Sequence, residues 1–147
     1  MINKLAMTLL TTVALLALVS SCGDRPKGVL VTPAYGLFRI SVDSVGKGEV
    51  KFFRYNFGGK DIVFFVARTA DGAVKTAFNA CRTCFPHHMG YRQEGDKVVC
   101  AYCGMSFPIN ELSEGQGNCV PVKINSRVEG GYVVVDQREI EAGAEWF

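Results

Sequence analysis

The chain has 147 residues, 48% of them hydrophobic, and a formal net charge of +2, which fits one small domain and excludes a multidomain enzyme, a disordered tail protein and a polytopic membrane protein. Without Lys4, 15 basic residues face 14 acidic ones, and a net charge of +1 argues against nucleic acid as partner. Six of the nine Leu precede Cys22, whereas all ten Phe and all sixteen Gly follow it, so two compositions are joined there.

The first composition runs from Met1 to Ser21. Lys4 is its only charge, and Leu5 to Val19 is an uncharged stretch of 15 residues. That is the length of a signal-peptide core and short of the roughly 20 apolar residues that span a bilayer. Val19-Ser20-Ser21-Cys22 follows directly and resembles the lipobox of bacterial lipoproteins. The resemblance implies cleavage after residue 21 and a lipid on Cys22, with residues 22–27 as a short tether. Two acyl chains on one residue would meet the requirement for stable anchoring. The expected location is the bacterial cell envelope, lipid-anchored and facing the periplasm or the exterior. An uncleaved signal anchor with Cys22 as a bystander is the competing reading. Met-Ile-Asn-Lys contains no Arg pair, so nothing suggests export of an already folded, cofactor-loaded protein.

Residues 28–147 are rich in Val, Phe and Gly, a composition of short strands and turns. Phe53, Tyr55 and Phe57 alternate with Arg54 and Asn56, as in a half-buried strand. Past Gly58-Gly59, the run Ile62 to Val66 is apolar throughout and predicts a more central strand. Val74 to Asn79 follows an Asp-Gly turn, so residues 49–79 read as a three-stranded antiparallel meander. Further short strands are predicted at residues 97–100, 105–109, 121–124 and 132–135, and a short helix interrupted by Gly143 at residues 137–144. The predicted fold is all-β, a small antiparallel barrel or sandwich whose chemistry sits in loops.

Five cysteines lie in this domain. Cys81 and Cys84 form one Cys-x2-Cys, and after fifteen intervening residues Cys100 and Cys103 form another. Two-residue spacing lets both sulfurs of a tight turn reach one ion, and two such turns complete a tetrahedral thiolate site. Gly90 and Gly104 relieve the bends. Several outcomes fit these residues: a functional iron, iron-sulfur or copper site, a structural zinc, or two disulfides, with a thioredoxin-like dithiol disfavoured by the missing βαβ pattern. Cys119 is unassigned by spacing. His87 and His88 follow Phe85-Pro86 in a loop and read as solvent-exposed, with Met89 and Met105 as loop packing. Were the metal copper, these imidazoles and thioethers would be expected donors.

Phe78-Asn-Ala-Cys81-Arg-Thr-Cys84, Gly90-Tyr91, Val98-Val-Cys100-Ala-Tyr-Cys103-Gly-Met-Ser-Phe107 and Gly117-Asn-Cys119-Val-Pro121 together resemble the FtrD-like family of iron-sulfur-containing membrane proteins. Asn118 and Val120 depart from that family's last motif. The resemblance covers residues 61–135 and implies iron-sulfur or metal ligation by Cys81, Cys84, Cys100 and Cys103, with Cys119 a candidate fifth ligand. It also implies a setting of bacterial iron transport with electron delivery. A more distant similarity is to the Rieske fold, where Cys-x-His and Cys-x2-His-Gly loops precede a closing hairpin like that at residues 128–135. Here Cys103 stands where that pattern has its second His, and Cys84 is displaced by one from the first. Replacing imidazole by thiolate lowers the potential of such a centre.

The expected function is therefore a membrane-anchored envelope metalloprotein. Its four-cysteine site holds an iron-sulfur cluster or a thiolate-bound iron, zinc or copper, serving electron transfer or metal handling with a membrane redox or metal-transport partner. The alternative is a binding module stapled by zinc or disulfides that contacts another envelope protein. No Ser-His-Asp order, paired catalytic carboxylates or phosphate-binding Gly loop is identifiable, so an enzyme is the weakest reading.

Overall fold

The computed structural model describes residues 28–112 and 117–147. The predicted leader, the tether and Cys22 lie outside the described residues. Among the described residues, eleven strands form three sheets around a long hairpin. Its arms are β3 (Glu49–Phe57) and β4 (Lys60–Arg68), joined at Gly58 and Gly59, whose φ values of 58° and 80° suit a two-residue turn that follows the strand twist. β5 (Val74–Cys81) returns antiparallel to β4, with Phe64 opposite Phe78. The predicted meander is present. β1 (Val29–Leu30) joins parallel to β3, and β9 (Pro121–Lys123) pairs with β5, giving the order β1-β3-β4-β5-β9.

The apolar run in β4 is central, as expected. Ile62, Phe64 and Val66 enter one core cluster and Phe65 and Ala67 another, so successive side chains are buried on opposite faces. The first face is covered by a second sheet of β2 (Leu37–Ser41), β10 (Arg127–Glu129) and β11 (Tyr132–Asp136), through Phe38, Ile40, Val133 and Val135. The other is covered by a third sheet of β6 (Tyr91–Glu94), β7 (Lys97–Cys100) and β8 (Ser106–Pro108), through Tyr91, Val98 and Phe107. Complete burial of each large apolar side chain contributes about 1.5–3 kcal/mol relative to exposure. The fold is thus all-β with small sheets, antiparallel except for the β1-β3 pair.

The C-terminal helix α1 spans Gln137–Glu141, with the Asp136 carboxylate accepting the Arg138 N–H at 2.9 Å as its N-cap. It then tightens into a 3-10 turn over Ala142–Trp146. Gly143 is required there by close approach, because a Cβ at this position would overlap the Phe78 ring.

Candidate metal centre

Strand periodicity aims the first cysteine of each motif. Ala77 and Cys81 on β5, and Val98 and Cys100 on β7, all point into the core between the first and third sheets. Cys81 ends β5 and Cys100 ends β7, so each Cys-x2-Cys begins where a strand stops. After Cys84 the chain makes a 3-10 turn over Phe85–His87, and Cys103 is followed by Gly104 at φ 75°. The two loops are tied together: the Ala101 N–H donates to the Gly90 carbonyl at 2.9 Å. Asn79 Oδ1 accepts the Tyr91 N–H at 2.6 Å.

Cys119 reaches the same place from a third segment. β9 pairs with the end of β5 in a register that sets Pro121 opposite Cys81, which carries Cys119 alongside the motif loops. The buried Tyr91 hydroxyl donates to the Cys119 carbonyl and holds it there. The Cys119 sulfur lies 3.5 Å from that of Cys103 and 3.6 Å from that of Cys84.

The five thiols form two overlapping triads, Cys81-Cys84-Cys100 and Cys84-Cys103-Cys119, within each of which the sulfurs lie within 4.8 Å of one another. The first triad is buried, its residues 2%, 7% and 2% exposed. In the second, Cys103 is exposed and Cys119 half-buried. Spacing predicts one quartet of Cys81, Cys84, Cys100 and Cys103; the geometry instead shares Cys84 between an inner and an outer group and draws in Cys119.

The two histidines are not brought into either triad. His87 and His88 are both exposed. His87 stacks on Tyr102, with ring centroids 3.6 Å apart and planes 9° from parallel. His88 takes a left-handed backbone with φ 51° and faces a cavity of about 550 Å³ walled by Arg54, Lys60, Asp61, Phe85 and Trp146. Met89 and Met105 are 41% and 49% exposed.

Burial and backbone donors set the thiols apart electrostatically. Burial pushes the Cys81 thiol up, but the N–H groups of Cys84 and Thr83 outweigh it and hold it below its ordinary value. The Cys84 N–H lies 3.1 Å from the Cys81 sulfur. Cys100 receives the corresponding N–H groups of Cys103 and Tyr102, yet its burial prevails and the thiol is raised. Burial, reinforced by Cys119 and Cys103, drives Cys84 far up. At the exposed end the Met105 N–H lowers Cys103 to about 7, while burial and Cys103 raise Cys119 to about 11.

Five sulfurs, three of them with backbone N–H groups aimed at them, and no carboxylate in either triad, form a soft donor set. Such a set selects zinc, monovalent copper or iron with sulfide over hard cations.

The chain is similar to several solved structures. One is from a complex of reduced oxygenase and oxidised ferredoxin in carbazole 1,9a-dioxygenase, at 19% identity and TM-score 0.47, covering 71% of this chain and 95% of that one. A naphthalene 1,2-dioxygenase variant bound to phenanthrene matches at 20% identity and TM-score 0.43, over 69% of this chain and 26% of that one. A quaternary ammonium Rieske monooxygenase matches at 15% identity and TM-score 0.44, over 71% and 32%. This chain therefore spans about a quarter to a third of the length of those two oxygenases. No curated protein matches the sequence. The sequence pattern of the family described as "Membrane iron-sulfur containing protein FtrD-like" matches residues 45–147, a stretch that holds all five thiols, and the chain belongs to that family.

Proposed function

We propose that this protein is a lipid-anchored envelope metalloprotein that holds an iron-sulfur cluster in its five-thiol centre and exchanges electrons with a membrane partner in iron transport. The observation that carries this reading is the meeting of five sulfurs from three backbone segments, three of them buried and two reaching the surface. The donor set fits the cofactor that the family description names. Cys81, Cys84 and Cys100 would hold it at the buried end and Cys103 at the exposed end, with Cys119 in reach. Bound there, a cluster supplies one-electron chemistry.

The chain's own residues do the rest. Tyr91, Val98 and Phe107 pack around the inner thiols and exclude water. Backbone N–H groups at Cys81, Cys100 and Cys103 stabilise thiolate charge. Tyr102 and Met105, both about half exposed, flank Cys103 in the chain and offer an apolar face for a partner. Anchoring through Cys22 would keep that face near a membrane protein. Among the described residues, no helix is long and apolar enough to cross a membrane.

The test is elemental and sulfide analysis of the full chain purified anaerobically in detergent, with EPR after reduction. Iron and acid-labile sulfide in comparable amounts, with a signal on reduction, is the expected result. Zinc alone, or two disulfides and no metal after reconstitution, would overturn the reading. The anchor is tested separately by Cys22→Ala, which should move the protein from the detergent phase to the aqueous phase.

A further inference from the structure

We propose that Cys103 and Cys119 share one ligand place at the outer end of the centre and exchange on it, while Cys81, Cys84 and Cys100 stay bound. This deepens the metal-binding reading above and rests on it.

A centre completed by four thiolates leaves one of five sulfurs over. Burial decides which three are permanent. Cys81, Cys84 and Cys100 form the enclosed triad, and Cys84 also belongs to the outer one. The remaining place is contested by two sulfurs only 3.5 Å apart, one of them 3.6 Å from Cys84. Either can occupy it after a shift of about one atomic diameter.

The two sulfurs also hang from independent backbone. Cys103 sits in the turn after β7, whereas Cys119 precedes β9 and has its carbonyl fixed by the Tyr91 hydroxyl. Exchange therefore needs rotation of two side chains and leaves both Cys-x2-Cys turns in place. Cys103 is exposed and Cys119 half-buried, unlike the three enclosed cysteines. The departing thiolate takes up a proton as the incoming thiol gives one up, so neither protons nor electrons accumulate. A centre built this way can release one sulfur at its surface and keep four ligands. That suits it to accept a partner's thiol in stepwise ligand exchange.

The experiment maps a short N-ethylmaleimide pulse by peptide mass spectrometry on the full chain, loaded with metal under anaerobic conditions. Alkylation of one sulfur traps the other on the metal. The expected result is about one label per chain, divided between Cys103 and Cys119. Cys119→Ser and Cys103→Ser should each keep the metal and take no label at the remaining four positions, whereas the double variant should lose metal. Label on Cys119 alone would make it a bystander and overturn the exchange. Protection of all five would overturn it as well, by making all five ligands at once. Labelling of all five, in protein that elemental analysis finds free of metal, would overturn the metal-binding reading and the exchange with it.

Discussion

Gly90 is the position where fold and centre can be tested with one substitution. It lies between Met89 and Tyr91 at φ +61°, a left-handed conformation that costs a residue with a Cβ roughly 1–2 kcal/mol. A Cβ there would also overlap the Asn79 amide nitrogen and come within 2.7 Å of its Cγ and Oδ1. Asn79 is buried at the wall of the cavity that His88 faces. Its Oδ1 is the acceptor for the Tyr91 N–H, and displacing it leaves a buried donor without a partner, at about 1–3 kcal/mol. Gly90→Ala should therefore destabilise the reduced, metal-free chain by about 2–5 kcal/mol, much of the stability of an ordinary domain. Urea unfolding followed by the fluorescence of Trp146, the only tryptophan, measures it. The Asn79→Ala background removes the overlap, so there Gly90→Ala should cost only the left-handed strain of roughly 1–2 kcal/mol. A loss under about 1 kcal/mol in the native background, or an equal loss in both, would refute the argument.

Other outcomes follow from the same geometry. Phe64 is fully buried in the centre of the first sheet, and Phe64→Ala should cost about 3–5 kcal/mol in the same unfolding assay. In the reduced, metal-free chain, thiolate forms as pH rises through each pKa, so alkylation of Cys103 should be half-maximal near pH 7 and that of Cys119 only near pH 11. Equal profiles centred on the ordinary thiol value would contradict the roles given to the Met105 N–H and to burial. Tyr91→Phe deletes the donor to the Cys119 carbonyl. It should cost about 1–2 kcal/mol and speed alkylation of Cys119 relative to Cys103; an unchanged ratio of rates would show that the hydroxyl does not position that sulfur.

The parts of the fold that are legible in the sequence are those whose partners are close along the chain. The β3-β4-β5 meander announces itself through alternation, a Gly-Gly turn and an Asp-Gly turn. β2 does not: Leu37–Ser41 buries only Phe38 and Ile40, and its partner is β11, more than ninety residues away. β6 escapes for a different reason. Tyr91-Arg-Gln-Glu has one apolar residue, and it becomes a strand by pairing with β7 around Gly95-Asp96. At the centre, two-residue spacing brings Cys81 to Cys84 and Cys100 to Cys103 because each pair shares one turn. Spacing is silent on Cys119, whose place depends on the register of β9 against β5 and on Tyr91.

The same division, between what strand ends fix and what loops supply, explains the asymmetry of the centre. Cys81 and Cys100 are the last residues of paired strands, so their sulfurs inherit the rigidity of two sheets and are sealed by the side chains between them. Cys103 and Cys119 have no strand beneath them and meet solvent. Cys84 stands between, buried yet already in a loop, and it is the residue that both triads contain. A mononuclear structural site would need only the first two cysteine pairs held with equal firmness. This centre is instead firm within and open without, and it carries one more sulfur than four places require, with the added sulfur, that of Cys119, in the outer group.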